Sequence, residues 1–290
     1  MSRLALATDF SERSDRALRR AVLLARRGGA VIDLVHVIDD DRPRRIVEQE
    51  KHEAWLLLTE LAGSLKSVDG VASTIRIELA DPFAGILKSV RDPVPDMLVI
   101  GPHRRQILRD AFAGTTAERT IRAAACPVLM ANGPPFGDYG HIMLTTDLSD
   151  GSREALKRLV RLEGYFGGRR SILNVFDAPA LRLAMSSFVA EQDREDYLDG
   201  LRADARRDLK AFAAGIGAAG AECLVRHEAA AAAVEILEEA VARRADLLVV
   251  SSQSRTTLAR AVLGSVAERV LASASIDVLV LPPAERETEE

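Results

Sequence analysis

Cysteine is nearly absent from this 290-residue chain, which has only Cys126 and Cys223. Neither belongs to a C-x-x-C pair and each sits beside apolar residues at the edge of a predicted strand, so both read as small buried thiols, with no disulfide framework and no zinc site. No apolar run reaches the roughly 18 residues of a membrane-crossing helix. The opening MSRLALATDF runs into a strand and an acidic turn rather than a signal-peptide core, so we expect a cytoplasmic location and no membrane contact. An excess of positive charge is missing too. The formal net charge is −4, which gives no reason to expect a nucleic-acid partner; the arginines at 42, 44, 45 and at 104, 105, 109 read first as solvated faces, with an anion site as the lesser reading.

Catalytic signatures are also lacking. There is no G-x-x-x-x-G-K-[ST] loop and no G-x-S-x-G elbow, and the five histidines are scattered without a nucleophile or second metal ligand nearby in sequence. His36, inside a strand pattern, reads as a core residue. We therefore expect no catalytic residues, no metal site, and no enzyme of fast turnover; slow hydrolysis of a bound nucleotide is the most we expect. Gly215-Ile216-Gly217-Ala218-Ala219-Gly220 spells G-x-G-x-x-G, but a helix precedes it and a strand follows, the reverse of a dinucleotide fingerprint.

What the chain does contain is a repeat. Leu6-Ala7-Thr8-Asp9-Phe10-Ser11 returns as Leu144-Thr145-Thr146-Asp147-Leu148-Ser149, and Val35–Asp39 as Leu173–Asp177, both at an offset of 138. Gly114–Arg119 returns as Gly264–Arg269 and Pro127–Met130 as Asp277–Val280, now at 150, so the second copy carries a twelve-residue insertion (150 less 138). Ile86-Leu87 already matches Ile236-Leu237 at 150, which confines the insertion to the segment after the second strand, where Leu181–Gly217 with its acidic Glu191, Asp193, Glu195 and Asp196 predicts a helical flap or a partner surface. Residues 132–140, with their glycines and prolines, cannot continue a helix or strand and form a linker between domains at 1–131 and 141–290.

Within each copy, apolar strand patterns alternate with helical stripes. In the first, strands are predicted at Leu4–Thr8, Val31–Ile38, Val71–Leu79, Met97–Ile100 and Val128–Ala131. Helices are expected after an N-cap at Ser11, over Ile46–Leu65, after Pro82 and over Thr115–Ala125. The second copy repeats the order. Such alternation argues for right-handed βαβ units and an α/β fold, each half a five-stranded parallel sheet of order 3-2-1-4-5 with helices on both faces. A ligand site then falls beyond the strand ends where the order reverses, between strands 1 and 4. Both fifth strands are apolar edges, which predicts that the halves pair through them as an intramolecular pseudo-dimer; a homodimer of chains is allowed but not implied.

At the switch point, Thr115 with Glu118 and Ser265 with Glu268 spell a T/S-x-x-E capping box at a helix start. A helix N-terminus offers free N–H groups and the positive end of the dipole to an anion, although capped helix starts also occur without one. The residues leave both readings open.

These residues carry a resemblance. Ala7-Thr-Asp-Phe-Ser11, Val35-His-Val37, Gly114-Thr-Thr-Ala-Glu-Arg119 and Cys126-Pro-Val-Leu129, with their echoes in the second copy, are similar over nearly the whole chain to the universal stress protein family in its tandem-domain form. The resemblance implies two Rossmann-like (adenine nucleotide alpha hydrolase-like) domains and a role in survival under stress or growth arrest. Some members bind ATP through a G-x2-G-x9-G-[ST] loop, so it implies ATP or ADP, with magnesium, at Asp9, Val37, Gly101, Arg104, Gly114, Thr115 and Thr116. In the second copy the matching positions are Asp147, Val175, Ser251, Ser254, Gly264, Ser265 and Val266. Arg104 stands at the loop's second glycine, where a cation can pair with phosphate; Ser251 and Ser254 replace two glycines in the second copy, so the first is the copy expected to hold nucleotide. The alternative is a stress protein that acts through contacts with an unknown protein partner and binds no nucleotide.

Overall fold

A computed structural model of the chain describes residues 2–102, 115–179, 191–252 and 263–283. The first half runs β1 (Arg3–Ala7), α1 (Glu12–Gly28), β2 (Val31–Ile38), α2 (Arg44–Ser64), β3 (Ser73–Leu79), α3 (Pro82–Ser89), β4 (Met97–Ile100), α4 (Thr116–Ala123) and β5 (Val128–Met130). The second runs β6 (His141–Thr146), α5 (Asp150–Lys157) tightening into a 3₁₀ turn at Arg158–Tyr165, β7 (Arg169–Phe176), α6 (Glu191–Gly215), β8 (Glu222–His227), α7 (Ala232–Ala242), β9 (Leu247–Ser251), α8 (Ser265–Ser273) and β10 (Asp277–Leu281).

All ten described strands lie in one sheet of order β3-β2-β1-β4-β5-β10-β9-β6-β7-β8, which is 3-2-1-4-5 in each half. Pairing is parallel throughout, except where β5 meets β10 antiparallel, Val278 against Met130, Leu279 against Leu129 and Val280 against Val128. Strand alternation sorts the core into two layers. Leu4 and Leu6 face a cluster with α1, α2, α5 and α6, while Ala5 faces one with α3, α4, α7 and α8. The central strands β4 and β9 are buried on both faces, hence their unbroken apolar runs.

Where the two halves meet, a charged group is buried with its partners. Arg20 of α1 is 5% exposed and its Nε lies 2.8 Å from Asp277 Oδ2 at the start of β10, which is fully buried. The Tyr139 hydroxyl donates to the same oxygen at 2.6 Å and the Gly133 N–H to Oδ1 at 2.7 Å, so the segment between β5 and β6 closes the group over. Burial pushes the Asp277 carboxyl above the usual carboxylate range, and Arg20, Tyr139 and Gly133 offset part of that.

Local details depart from expectation in two places. Ser11 does begin α1, but its hydroxyl donates to Asp9 Oδ1 and caps no helical N–H. Between β7 and β8, the expected flap is, over its described part, the long helix α6, which seats Leu209, Phe212 and Ala213 in the core beside the sheet. The rest of that segment, 180–190, lies outside the described residues. Gly217, at φ 76, ends the turn after α6, as a glycine-rich terminator should.

Candidate functional site

The site is built at the carboxyl ends of β1 and β4, where the strand order reverses. After β1 the chain makes the same turn in both halves. Phe10 and Leu148 take left-handed conformations, φ 58 and φ 62, which cost energy for residues with a side chain. Side-chain bonds hold each turn in place. Thr8 Oγ1 accepts the Phe10 N–H at 3.1 Å, and Thr146 Oγ1 accepts that of Leu148 at 3.0 Å. Asp9 Oδ1 accepts the Ser11 N–H and hydroxyl at 3.0 and 2.5 Å, and Asp147 Oδ1 accepts those of Ser149 at 3.1 and 2.6 Å. Half-buried His36 belongs to this scaffold: its Nδ1 lies 2.8 Å from Thr8 O, and Asn174 Nδ2 donates to Thr146 O at 2.9 Å.

Burial pushes the Asp9 carboxyl up, but donors from Ser11 and Ser14 and the guanidinium of Arg13 outweigh it, so Asp9 titrates below the usual carboxylate range. Arg13, four residues on, has its NH2 3.5 Å from Asp9 Oδ2.

Gly101 ends β4 for a steric reason. A Cβ there would lie 2.8 Å from the Arg13 carbonyl oxygen and 3.2 Å from the Ser14 nitrogen, so the strand end passes beneath the first turn of α1 only without a side chain. Across the site, Thr115 caps α4 by accepting the Glu118 N–H at 3.1 Å, and the Glu118 carboxylate pairs with Arg122 at 2.5 Å. The corresponding box in the second half does not form. The helix starts one residue earlier in register, with Gly264 as the N-cap and Ser265 already in the first turn, and no side chain caps it.

Five of the sequence-predicted residues, Asp9, Val37, Gly101, Thr115 and Thr116, line a single cavity of about 470 Å³. Asp147, Val175, Ser251, Gly264 and Val266 line another in the second half, of only about 100 Å³, and Ser265 is not on its wall. Arg104, Gly114 and Ser254 lie outside the described residues. Three wall positions are bulkier in the second half, with Thr145 for Ala7, Leu173 for Val35 and Ser251 for Gly101. Ala232 for Pro82 and Val250 for Ile100 go the other way. Sequence reasoning missed Arg13 and Thr120 on the first wall. The i,i+4 spacing to Asp9 could have indicated Arg13; nothing in the sequence marked Thr120.

The model of the universal stress protein family matches residues 1–132 and 138–282. A universal stress protein of Methanocaldococcus jannaschii is 32% identical over 152 residues, spanning 51% of this chain and 85% of that protein. A second from the same organism is 24% identical over 151 residues, 42% of this chain and 90% of that protein. Among solved structures, a functionally unknown protein from Pseudomonas aeruginosa PAO1 superposes with a TM-score of 0.73 at 20% identity, covering 98% of this chain and 93% of that one. A universal stress protein from Archaeoglobus fulgidus gives 0.69 at 19%, covering 97% and 98%. At these identities the structural likeness speaks for the fold alone.

Proposed function

The chain belongs to the universal stress protein family, and from that premise we propose that its first half, taken as residues 1–131, holds an adenine nucleotide while its second half, 141–290 beyond the linker, does not. The observation that carries this reading is the difference between the cavities. Small-molecule sites measure roughly 300–1,000 Å³; about 470 Å³ falls inside that range and about 100 Å³ well below it. The proposed pose sets the phosphates at the N-terminus of α4, where Thr115 and Thr116 stand at the positive end of the helix dipole, and the base against Val37. Arg13 would offset part of the phosphate charge. Magnesium enters only as counterion of the phosphates, since it is held by one or two carboxylates plus phosphate oxygens, and Asp9 is the carboxylate on the described wall.

The role that fits is regulatory: a stress-response protein whose state reports bound ATP or ADP, without fast turnover. No described helix is long and apolar enough to cross a membrane. The antiparallel β5–β10 pair supports an internal pseudo-dimer as the working unit. One observation favours the second reading, action through protein contacts. Helix α2 exposes Trp55, Leu56 and Leu57, whereas α6 in the second half exposes Arg206, Arg207 and Asp208.

Titration calorimetry with ATP and magnesium tests the proposal on wild type, Thr116→Glu and its counterpart Val266→Glu. A glutamate in a first helical turn is favourable to folding, so both variants should stay folded. The expected result is one ATP per chain, lost in Thr116→Glu and kept in Val266→Glu. Heat from neither wild type nor variant would leave the protein-contact reading; equal loss in both variants would contradict the assignment to the first half.

A further inference from the structure

Thr120 sits in the middle of α4 with no exposed surface and lines the first cavity, yet among the described residues its Oγ1 has no hydrogen-bond partner. A buried hydroxyl left unpaired destabilises the fold that carries it, and such groups in native structures have a reason. Packing does not supply one. The repeat puts Val270 at the same place in the second half, equally buried, so a hydrocarbon of nearly the same shape fills that position in the same fold.

We infer that the Thr120 hydroxyl is a ligand-reading group, which hydrogen-bonds a heteroatom on the edge of a heterocyclic base in the first cavity. The position selects the base over the phosphates. Thr120 is five residues beyond the Thr115 cap, about 7.5 Å along the helix axis at 1.5 Å per residue. The wall it shares also carries Val37, Pro82, Ile86 and Ala117, apolar surfaces suited to a flat ring and not to an anion. The second half, with Val270 and a cavity of about 100 Å³, has lost both the hydroxyl and the room.

This inference rests on the nucleotide reading, and the test separates the two. Wild type, Thr120→Val and Thr120→Ser are titrated with ATP and with inorganic tripolyphosphate, and melted without ligand. A hydrogen bond left unmade in a closed site is worth about tenfold in affinity. Thr120→Val should therefore bind ATP about tenfold more weakly, Thr120→Ser within about threefold of wild type, and tripolyphosphate should bind all three alike. Without ligand, Thr120→Val should melt no lower than wild type. Equal ATP affinity in Thr120→Val overturns the role of the hydroxyl and leaves the nucleotide reading standing. A lower melting temperature for Thr120→Val, rescued by serine, makes the hydroxyl structural and also overturns it. Wild type that binds no ATP overturns both.

Discussion

The two halves share a backbone and differ in what that backbone encloses. The strained turn after strand 1 is kept down to its hydrogen bonds, Thr8 with Phe10 and Thr146 with Leu148, and the bond from strand 2 to the turn survives the exchange of His36 for Asn174. Around the cavity, by contrast, Ala7, Val35, Gly101 and Thr120 have become Thr145, Leu173, Ser251 and Val270. Duplication preserved the groups that satisfy the backbone and released those that face empty space. A residue whose loss would orphan buried N–H groups is constrained in both copies; one that only shapes a cavity is constrained where something occupies it.

The largest break in this symmetry lies at the junction. Arg20 corresponds to Arg158 and Asp277 to Pro127, so the repeat carries this buried ion pair only once. Removing one partner of a buried pair leaves the other charge uncompensated, at a cost of about 3–5 kcal/mol. Arg20→Leu should therefore lower unfolding stability in urea by about that amount, while Arg158→Leu, whose NH1 donates to the Pro283 carbonyl at 3.0 Å, should cost far less. Equal effects from the two would mean that the junction is held by its strands and not by this group.

A middle-sized effect is expected at the end of strand 4. Gly101→Ala would force a Cβ against the α1 backbone, and overpacking of this kind costs about 1–3 kcal/mol. Ser251→Gly, the reverse change in the second half, creates no clash and should cost less than Gly101→Ala. Comparison of urea midpoints decides it. A tolerated Gly101→Ala would show that α1 can move away from β4, and that the glycine serves the ligand alone.

How much of this was legible beforehand follows from where the information resides. The repeat, the strand order and the switch point come from periodicity and spacing, which duplication displays twice; Val31–Ile38 and Met97–Ile100 match to the residue. Caps were less readable. Ser11 has a better acceptor in Asp9, two residues away, and Ser265 was displaced by the glycine before it, since one residue of helix register decides which side chain reaches the free N–H groups. The cavity difference was read only in part. The loop glycines suggested it, but Leu173 for Val35 and Val270 for Thr120 look like ordinary core exchanges until the fold sets Val35 and Thr120 on the wall of the first cavity. The Arg20–Asp277 pair joins residues 257 positions apart and leaves no local pattern to find.

The smallest effect expected concerns Asp9 and acid. Its side chain is 64% exposed beside Arg13, a setting in which an ion pair contributes about 0–1 kcal/mol. The folded carboxyl titrates below its ordinary value of 3.8, because the Ser11 and Ser14 donors and Arg13 together outweigh the opposing effect of burial. A carboxyl with a depressed folded pKa contributes stability that is fully present above the unfolded pKa and is lost as pH falls through the folded one. The contribution of Asp9 should thus be constant from neutral pH down to about 4 and fade only below. Asp9→Asn keeps an acceptor for the Ser11 N–H but removes the charge, so its stability should run parallel to wild type near neutrality, slightly lower, and converge with it in stronger acid. Chemical denaturation at pH 7, 5, 4 and 3 measures this directly. A gap that widens on acidification would reverse the sign and place the folded pKa of Asp9 above, not below, that of the unfolded chain.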